Sequence, residues 1–184
     1  MAHVVGLPQP LADAVAEVGD EHTLIAGTGT HRVTSFLDIT QADWETTVTG
    51  IRTAFQAARD AAAASVAKGA PGRLIFVSTA AALRPVQGAC LAATAGAFFH
   101  TLAQVAAVEL AANGITANVV APGFVDDERF VEATPAGRAP VAEDVAGVCS
   151  FLASESAAFV TGAVIPIDGG FSITKSGGGS PLLR

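Results

Sequence analysis

The chain has 184 residues, of which 51% are hydrophobic and 15% are charged, and its formal net charge is −7. This length predicts one domain with a substantial core, and the negative charge argues against nucleic acid or an anionic membrane as a partner. With so little charge to cover its surface, the chain is expected to bury apolar surface against another chain.

The first third of the chain predicts two short strands around one short helix. His3–Leu7 is a β-branched run closed by two prolines, and Leu11–Val18 spaces its apolar residues like one helix face. Thr23–Ala26 predicts a buried strand that breaks at Gly27-Thr28-Gly29. Nothing near the N-terminus resembles a signal peptide or a membrane span, so we expect a cytoplasmic protein.

The central part predicts helix, strand, helix and strand. Thr40 is a suitable N-cap for an alanine-rich helix from Gln41 to about Ala67. A strand with the sequence LIFV follows, and then a helix over residues 88–112, which ends at Asn113-Gly114. Because glycine favours a left-handed C-cap, this ending is well defined. The apolar run ITANVVA then predicts the next strand.

The C-terminal part predicts a polar loop over residues 126–138, a helix over 141–152 and a last strand over 163–167. Alternating strands and helices, with apolar strands, indicate an α/β fold with a doubly wound parallel sheet and right-handed crossovers. We expect one Rossmann-like domain over residues 1–172 and a flexible tail over 173–184.

Several segments in this order resemble the short-chain dehydrogenase/reductase family, from about Thr23 to Phe171. The strongest are ELAANGITANVVAPGF (109–124) and VCSFLASESAAFVTGAVIPIDGG (148–170). GRLIFVST resembles the strand that carries the family's catalytic serine, and DITQADWE resembles the start of its long interface helix. The resemblance implies a Rossmann-like oxidoreductase fold.

Members of this family bind NAD(P) with a Gly-x-x-x-Gly-x-Gly turn after the first strand. That turn is absent, since Gly6 is followed by Leu-Pro-Gln-Pro, and the chain before Thr23 is too short for the strands that bind adenosine. We therefore expect about five strands and no adenosine-binding flank. Gly27 and Gly29 are weak candidates for a cofactor contact and otherwise form a tight turn. No cofactor is expected on this chain, with NAD(P) held by a partner subunit.

The family's catalytic set is also largely missing. The serine position falls on Thr79, the tyrosine position on Ala92 and the lysine position on Gly96, and the chain contains no tyrosine. A lost general acid costs about 10²–10⁴ in rate. His100, one helical turn after Gly96, is the remaining candidate for acid–base chemistry, with packing as the alternative.

Other candidate ligands are few. Asp126, Asp127 and Glu128 follow one another and could pair as carboxylates or bind a cation, although adjacent acids in a loop are commonly just solvated. We expect no metal site, because no cluster of His, Cys, Asp and Glu has ligand spacing. His22 and His31 are expected in loops.

The resemblance implies a subunit interface formed by the two long helices and the last strand. The predicted interface residues are Trp44, Ile51, Phe55, Phe98, Thr101, Val105, Val108, Ile165, Ile167 and Phe171. Four of these follow helical spacing from Phe98 to Val108, and that stripe is either interface or intrachain core.

These observations favour a non-catalytic subunit that assembles with an active short-chain dehydrogenase/reductase paralogue and stabilises it or completes its pocket. Two alternatives remain open. The chain could be a homo-oligomer, a dimer or a tetramer, that binds a small ligand in its cleft. It could also be a cofactor-free lyase or isomerase that uses His100 or the acidic loop.

Overall fold

The computed structural model describes residues 1–174, which form one parallel sheet with helices on both faces. The predicted tail lies mostly outside these residues. The strands are β1 (His3–Val5), β2 (Thr23–Ala26), β3 (Gly72–Val77), β4 (Ile115–Pro122) and β5 (Val164–Ile167). The helices are α1 (Gln9–Val15), α2 (Gln41–Lys68), α3 (Cys90–Leu110) and α4 (Ala142–Ala153).

The described strands pair in sequence order, β1-β2-β3-β4-β5, and every pair is parallel. This confirms the α/β class, the five strands and the missing flank, because within the described chain the sheet ends at β1. The first strand is shorter than predicted and the first helix starts two residues earlier, at Gln9. The loop predicted over residues 126–138 contains a 3₁₀ helix, Glu128–Ala133.

The two faces of the sheet bury different helices. Helices α2 and α3 pack on the face of Leu24, Leu74 and Phe76, whereas α1 and α4 pack on the face of Ile25 and Ile75. Since the strands are parallel and in sequence order, the crossovers through α1 and α4 have the opposite hand to those through α2 and α3. The expectation that all crossovers are right-handed is therefore wrong.

The crossover through α1 is a short connection. Helix α1 is only 7 residues long and joins two strands that are neighbours in the sheet. It is held on its face by Leu11 and Val15, which are buried in the same cluster as Val145 and Leu152 of α4. Packing against α4 therefore outweighs the usual preference for right-handed connections.

The ends of the long helices follow the predicted chemistry. The Thr40 hydroxyl accepts a hydrogen bond from the Asp43 N–H at 3.2 Å, and the Asp43 carboxylate accepts one from the Thr40 N–H at 3.0 Å. Hydrogen bonds from Thr40 lower the pKa of Asp43, which stabilises this capping box in its charged form. Gly114, after α3, has φ 74°, as its left-handed C-cap requires.

Helix α3 is long and apolar enough, by length and composition, to cross a membrane. In this fold α3 packs on one face of the sheet, where its residues Phe99, Ala103 and Ala107 are buried. The ring of Phe99 stacks on Phe76 of β3 at 5.1 Å between centroids. The opposite side of α3 is also apolar, with Phe98, Val105 and Val108 exposed.

Two glycines inside helices provide a matched test of this packing. A Cβ on Gly50 of α2 would overlap the carbonyl oxygen of Thr28 in the β2–α2 loop, whereas a Cβ on Gly147 of α4 would meet nothing within 4 Å. We expect Gly50→Ala to destabilise the fold by about 1–3 kcal/mol through overpacking. Gly147→Ala should stabilise it by about 0.5–1 kcal/mol, the helix-interior gain of alanine over glycine. Urea denaturation measures both, and equal effects would contradict the close approach at Gly50.

Candidate functional site

A small cleft opens at the carboxyl ends of β2, β3 and β4, where parallel α/β sheets bind their ligands. Its volume is about 240 Å³. The residues that line it and matter here are Gly6, Gly27, Thr28, Gly29, His31, Ser78, Thr79, Ala92, Gly96, Pro122 and Phe124. The cleft is below the about 300–1,000 Å³ usual for ligand pockets, so it suits a small molecule or one end of a larger one.

The most reactive arrangement in the cleft is a hydroxyl–imidazole pair. Ser78 directly follows β3, and its Oγ lies 3.0 Å from Nε2 of His100 on α3. Ser78 lines the cleft, whereas His100 is half-buried and is not one of the residues that line it. Burial lowers the pKa of His100 below its usual 6.5, so the ring is neutral at pH 7. A neutral imidazole can accept the Ser78 proton or donate one to Ser78, depending on its tautomer.

Gly96 makes this pair possible. It lies one turn before His100 on α3, buried against the end of β3. A Cβ at this position would come within 2.6 Å of Ser78 Oγ and 3.2 Å of Thr79 Cγ2. Any larger residue would therefore displace the Ser78 hydroxyl. The glycine that stands at the family's lysine position is the residue that lets Ser78 reach His100.

Thr79 and Ala92 occupy the family's serine and tyrosine positions at the same cleft. The Thr79 Oγ1 accepts a hydrogen bond from the Ala81 N–H at 3.2 Å, so its own proton can be donated into the cleft. Ala92 lines the cleft and contributes only a methyl group. Of the predicted vestigial positions, the structure thus brings Thr79, Ala92 and Gly96 together, with one hydroxyl among them.

A second histidine at the cleft was missed as a site residue. His31 Nε2 lies 2.7 Å from Thr28 Oγ1, and its Nδ1 lies 3.3 Å from the buried Thr47 Oγ1 on α2. Because Thr47 donates its proton to the Asp43 carbonyl, His31 Nδ1 must donate to Thr47, and Thr28 donates to Nε2. Burial lowers the pKa of His31, which favours this neutral form. His31 therefore fixes the Thr28 turn to α2. Both His22 and His31 lie outside the helices and strands, as predicted.

The two glycine turns at the cleft are joined to each other. The N–H of Gly27 donates to the Val5 carbonyl at 2.9 Å, and the N–H of Gly29 donates to the Gly6 carbonyl at 2.7 Å. These donors are engaged by the protein backbone. Pro8 is the N-cap of α1, and Pro10 lies in the first turn of that helix. Pro10 has no N–H to offer a phosphate. The residues present therefore do not form a dinucleotide-binding turn.

Aromatic packing closes the C-terminal side of the cleft. Phe124 stacks on Phe130 at 3.5 Å, and Phe171 meets both rings edge-on. Arg84 lies over the Phe171 ring and donates to its carbonyl oxygen at 2.7 Å. Phe171 is buried at 3% exposure, which corrects its placement in the predicted interface.

The acidic loop and the predicted interface residues do not line the cleft. Arg129 donates a hydrogen bond from Nε to Oδ1 of Asp127 at 2.8 Å. This hydrogen bond lowers the pKa of Asp127. Asp127 is therefore held in an ion pair with Arg129. Of the predicted interface residues, the exposed ones are Trp44, Phe55, Phe98, Thr101, Val105 and Val108, and Ile51, Ile165 and Ile167 are half-buried. The Phe98–Val108 stripe is thus not intrachain core.

Comparison with known proteins places the chain in a family. The family model described as enoyl-(acyl carrier protein) reductase matches residues 8–172. The chain belongs to the short-chain dehydrogenase/reductase family. It is 39% identical over 123 residues to the 3-oxoacyl-[acyl-carrier-protein] reductase MabA of Mycobacterium avium, covering 61% of this chain and 48% of that protein.

Two further relatives support the same assignment. The corresponding reductase of Mycobacterium tuberculosis is 31% identical over 166 residues, covering 84% of this chain and 67% of that protein. The acetoin dehydrogenase of Enterobacter cloacae superposes with a TM-score of 0.80 at 26% identity, covering 94% of this chain and 74% of that one. The chain thus spans between about half and three quarters of these relatives' lengths.

These comparisons overturn the expected function. The relatives are named as active reductases and dehydrogenases, so the assignment as a non-catalytic partner subunit is wrong. The sequence points to His100 but not to its partner, because Ser78 is 22 residues away and the pair forms only when α3 packs on β3.

The two half-buried histidines, His31 and His100, predict a pH dependence of stability. Their pKa values are lowered in the folded state, so between those values and 6.5 the unfolded chain binds more protons than the native one. The free energy of unfolding should therefore fall as the pH drops from 7 to 5, a range above that of the carboxylates.

Urea denaturation at half-unit pH steps measures this fall. The double variant His31→Asn/His100→Asn should show a flatter profile over the same range. A wild-type profile as flat as that of the double variant would contradict the burial of neutral imidazoles.

Proposed function

We propose that this chain is an oxidoreductase that acts at the carbonyl group of a small substrate, with Ser78 and His100 as its proton-transfer pair. The observation that carries the proposal is the hydroxyl–imidazole contact of 3.0 Å at the cleft of a fold whose relatives are reductases. Reduction of a carbonyl needs a proton at the oxygen as well as a hydride at the carbon. The Ser78 hydroxyl donates that proton, the Nε2–H of His100 reprotonates Ser78, and water gives a proton to Nδ1 of His100, so the imidazole ends the reaction neutral.

The neighbouring groups support binding of a carbonyl at this point. Thr79 offers a second hydroxyl proton toward the cleft, so a carbonyl oxygen between Ser78 and Thr79 receives two hydrogen bonds. Such donors stabilise the charge that grows on the oxygen during reduction. The His31–Thr28 bond and the close approach at Gly50 fix the opposite wall of the cleft.

We propose that this chain holds no dinucleotide of its own. The support for this is the joined pair of glycine turns, the short proline-bearing helix α1 and the edge of the sheet at β1. A hydride donor would therefore act as a weakly bound second substrate. By analogy with the 3-oxoacyl relatives, the substrate class we propose is a short 3-oxoacyl thioester.

Reduction of acetoacetyl-CoA with deuterium-labelled NADPH tests this function, with the labelled 3-hydroxy product measured by mass spectrometry. We expect slow formation of deuterated product, with a rate that rises linearly with NADPH to about 1 mM, the upper end of usual KM values. Ser78→Ala and His100→Asn should each lower the rate by about 10²-fold or more, as loss of an acid–base group does.

The surface variant His22→Asn provides the matched control and should keep the wild-type rate. No product above the enzyme-free reaction would overturn the proposal. So would a His100→Asn variant that remains fully active.

We also propose that a second copy of the chain covers α2 and α3, in a cytoplasmic setting. An apolar hollow of about 610 Å³ lies between these helices. Phe55 and Val105 on its walls are 42% and 48% exposed, and Arg59 and Glu109 lie at its edge. In a two-fold dimer each copy presents both the apolar wall and the opposite charges, so the surface is self-complementary.

Light scattering after size exclusion tests this assembly. We expect a dimer for the wild type and a monomer for Val105→Glu, because the charge would be buried at the centre of the interface. Phe151→Glu, on the opposite face of the sheet, serves as control and should remain dimeric. A monomeric wild type at micromolar concentration would contradict the proposal.

A further inference from the structure

The Ser78–His100 pair has a chemistry that carbonyl reduction does not use. We propose that Ser78 is also an acyl acceptor, a nucleophilic serine that attacks activated esters and thioesters of short carboxylic acids with His100 as its base. This activity goes beyond the reductase function and does not depend on any hydride donor.

The geometry meets the first requirement for such a nucleophile. A serine hydroxyl is activated when a base lies within about 2.6–3.2 Å and the oxygen faces the substrate. Ser78 Oγ is 3.0 Å from His100 Nε2, and Ser78 is one of the residues that line the cleft. A hydroxyl group with a base in hydrogen-bond reach therefore lies at the wall of the cleft.

The state of the imidazole meets the second requirement. A base must be unprotonated to accept the serine proton, and burial keeps His100 in its neutral form at pH 7. In the tautomer with a bare Nε2, Ser78 donates to His100 and is ready to attack. In the other tautomer His100 donates to Ser78, which is the arrangement for proton delivery in the reductase function. One contact thus supports both activities.

The surroundings select a small acyl group. The cleft holds about 240 Å³, and Ala92 and Gly96 place no polar side chain beside Ser78. Because Gly96 has no side chain, the Ser78 hydroxyl can contact His100. A Cβ at position 96 would come within 2.6 Å of Ser78 Oγ. An acetyl or butyryl group fits such a space, and the alcohol or thiol part of the ester would extend out of the cleft.

The reaction is balanced without any oxidant or reductant. Ser78 Oγ forms a bond to the acyl carbon as His100 accepts the hydroxyl proton. The bond from that carbon to the leaving sulfur or oxygen then breaks, and His100 returns the proton to the leaving group. Water next attacks the acyl-Ser78 ester, so the products are a carboxylic acid and a thiol or an alcohol, and Ser78 regains its proton.

A fluorophosphonate probe and p-nitrophenyl acetate test this proposal with the full chain. We expect one covalent addition of the probe, located on Ser78 by peptide mass spectrometry, and release of p-nitrophenol above the enzyme-free rate. Ser78→Ala should lose both signals. His100→Ala should lower the labelling rate by about 10²-fold or more, and added imidazole should restore part of it, which a merely structural role would not allow.

Controls separate chemistry from folding and from the reductase function. His22→Ala should label like the wild type, and circular dichroism should show that the Ser78→Ala and His100→Ala variants remain folded. Absence of labelling on Ser78 in a folded wild type overturns the acyl-acceptor proposal, as does labelling of His100→Ala at the wild-type rate. Neither result affects the reductase proposal, which is measured by deuterium transfer from NADPH.

Discussion

The close approach of α3 to the end of β3 is the contact on which the site depends. Gly96 has no side chain, so the helix backbone comes close enough for His100 to reach Ser78. The same contact buries Phe99 against Phe76. This packing is part of the main core. The Ser78–His100 distance is therefore fixed by core packing and does not depend on a mobile loop.

The rest of the cleft is held by similar short contacts. His31 ties the β2 turn to α2 through two hydroxyl groups, and Gly50 lets that turn rest on the helix. On the other side, Phe124, Phe130 and Phe171 form one aromatic cluster under Arg84. The cleft is therefore small, and direct contacts between neighbouring elements hold its walls.

Much of the fold could be predicted from sequence because its signals are local. The β2 strand, the Thr40 cap and the Gly114 turn each depend on residues within a few positions of one another. The hand of the α1 crossover could not be predicted, because it is decided by packing of Leu11 and Val15 on α4, more than 120 residues away. The candidate site could not be predicted for the same reason, because Ser78 and His100 are far apart in the sequence and no motif links them.

The coupling between Ser78 and His100 is the central claim, and a double-mutant cycle on the acetoacetyl-CoA reaction tests it most directly. Residues that act as one unit have strongly non-additive effects on rate. We predict that Ser78→Ala/His100→Asn reacts as slowly as either single variant and no slower. Additive losses, with the double variant slower by the product of the two single effects, would show that the two residues act independently and would contradict this account.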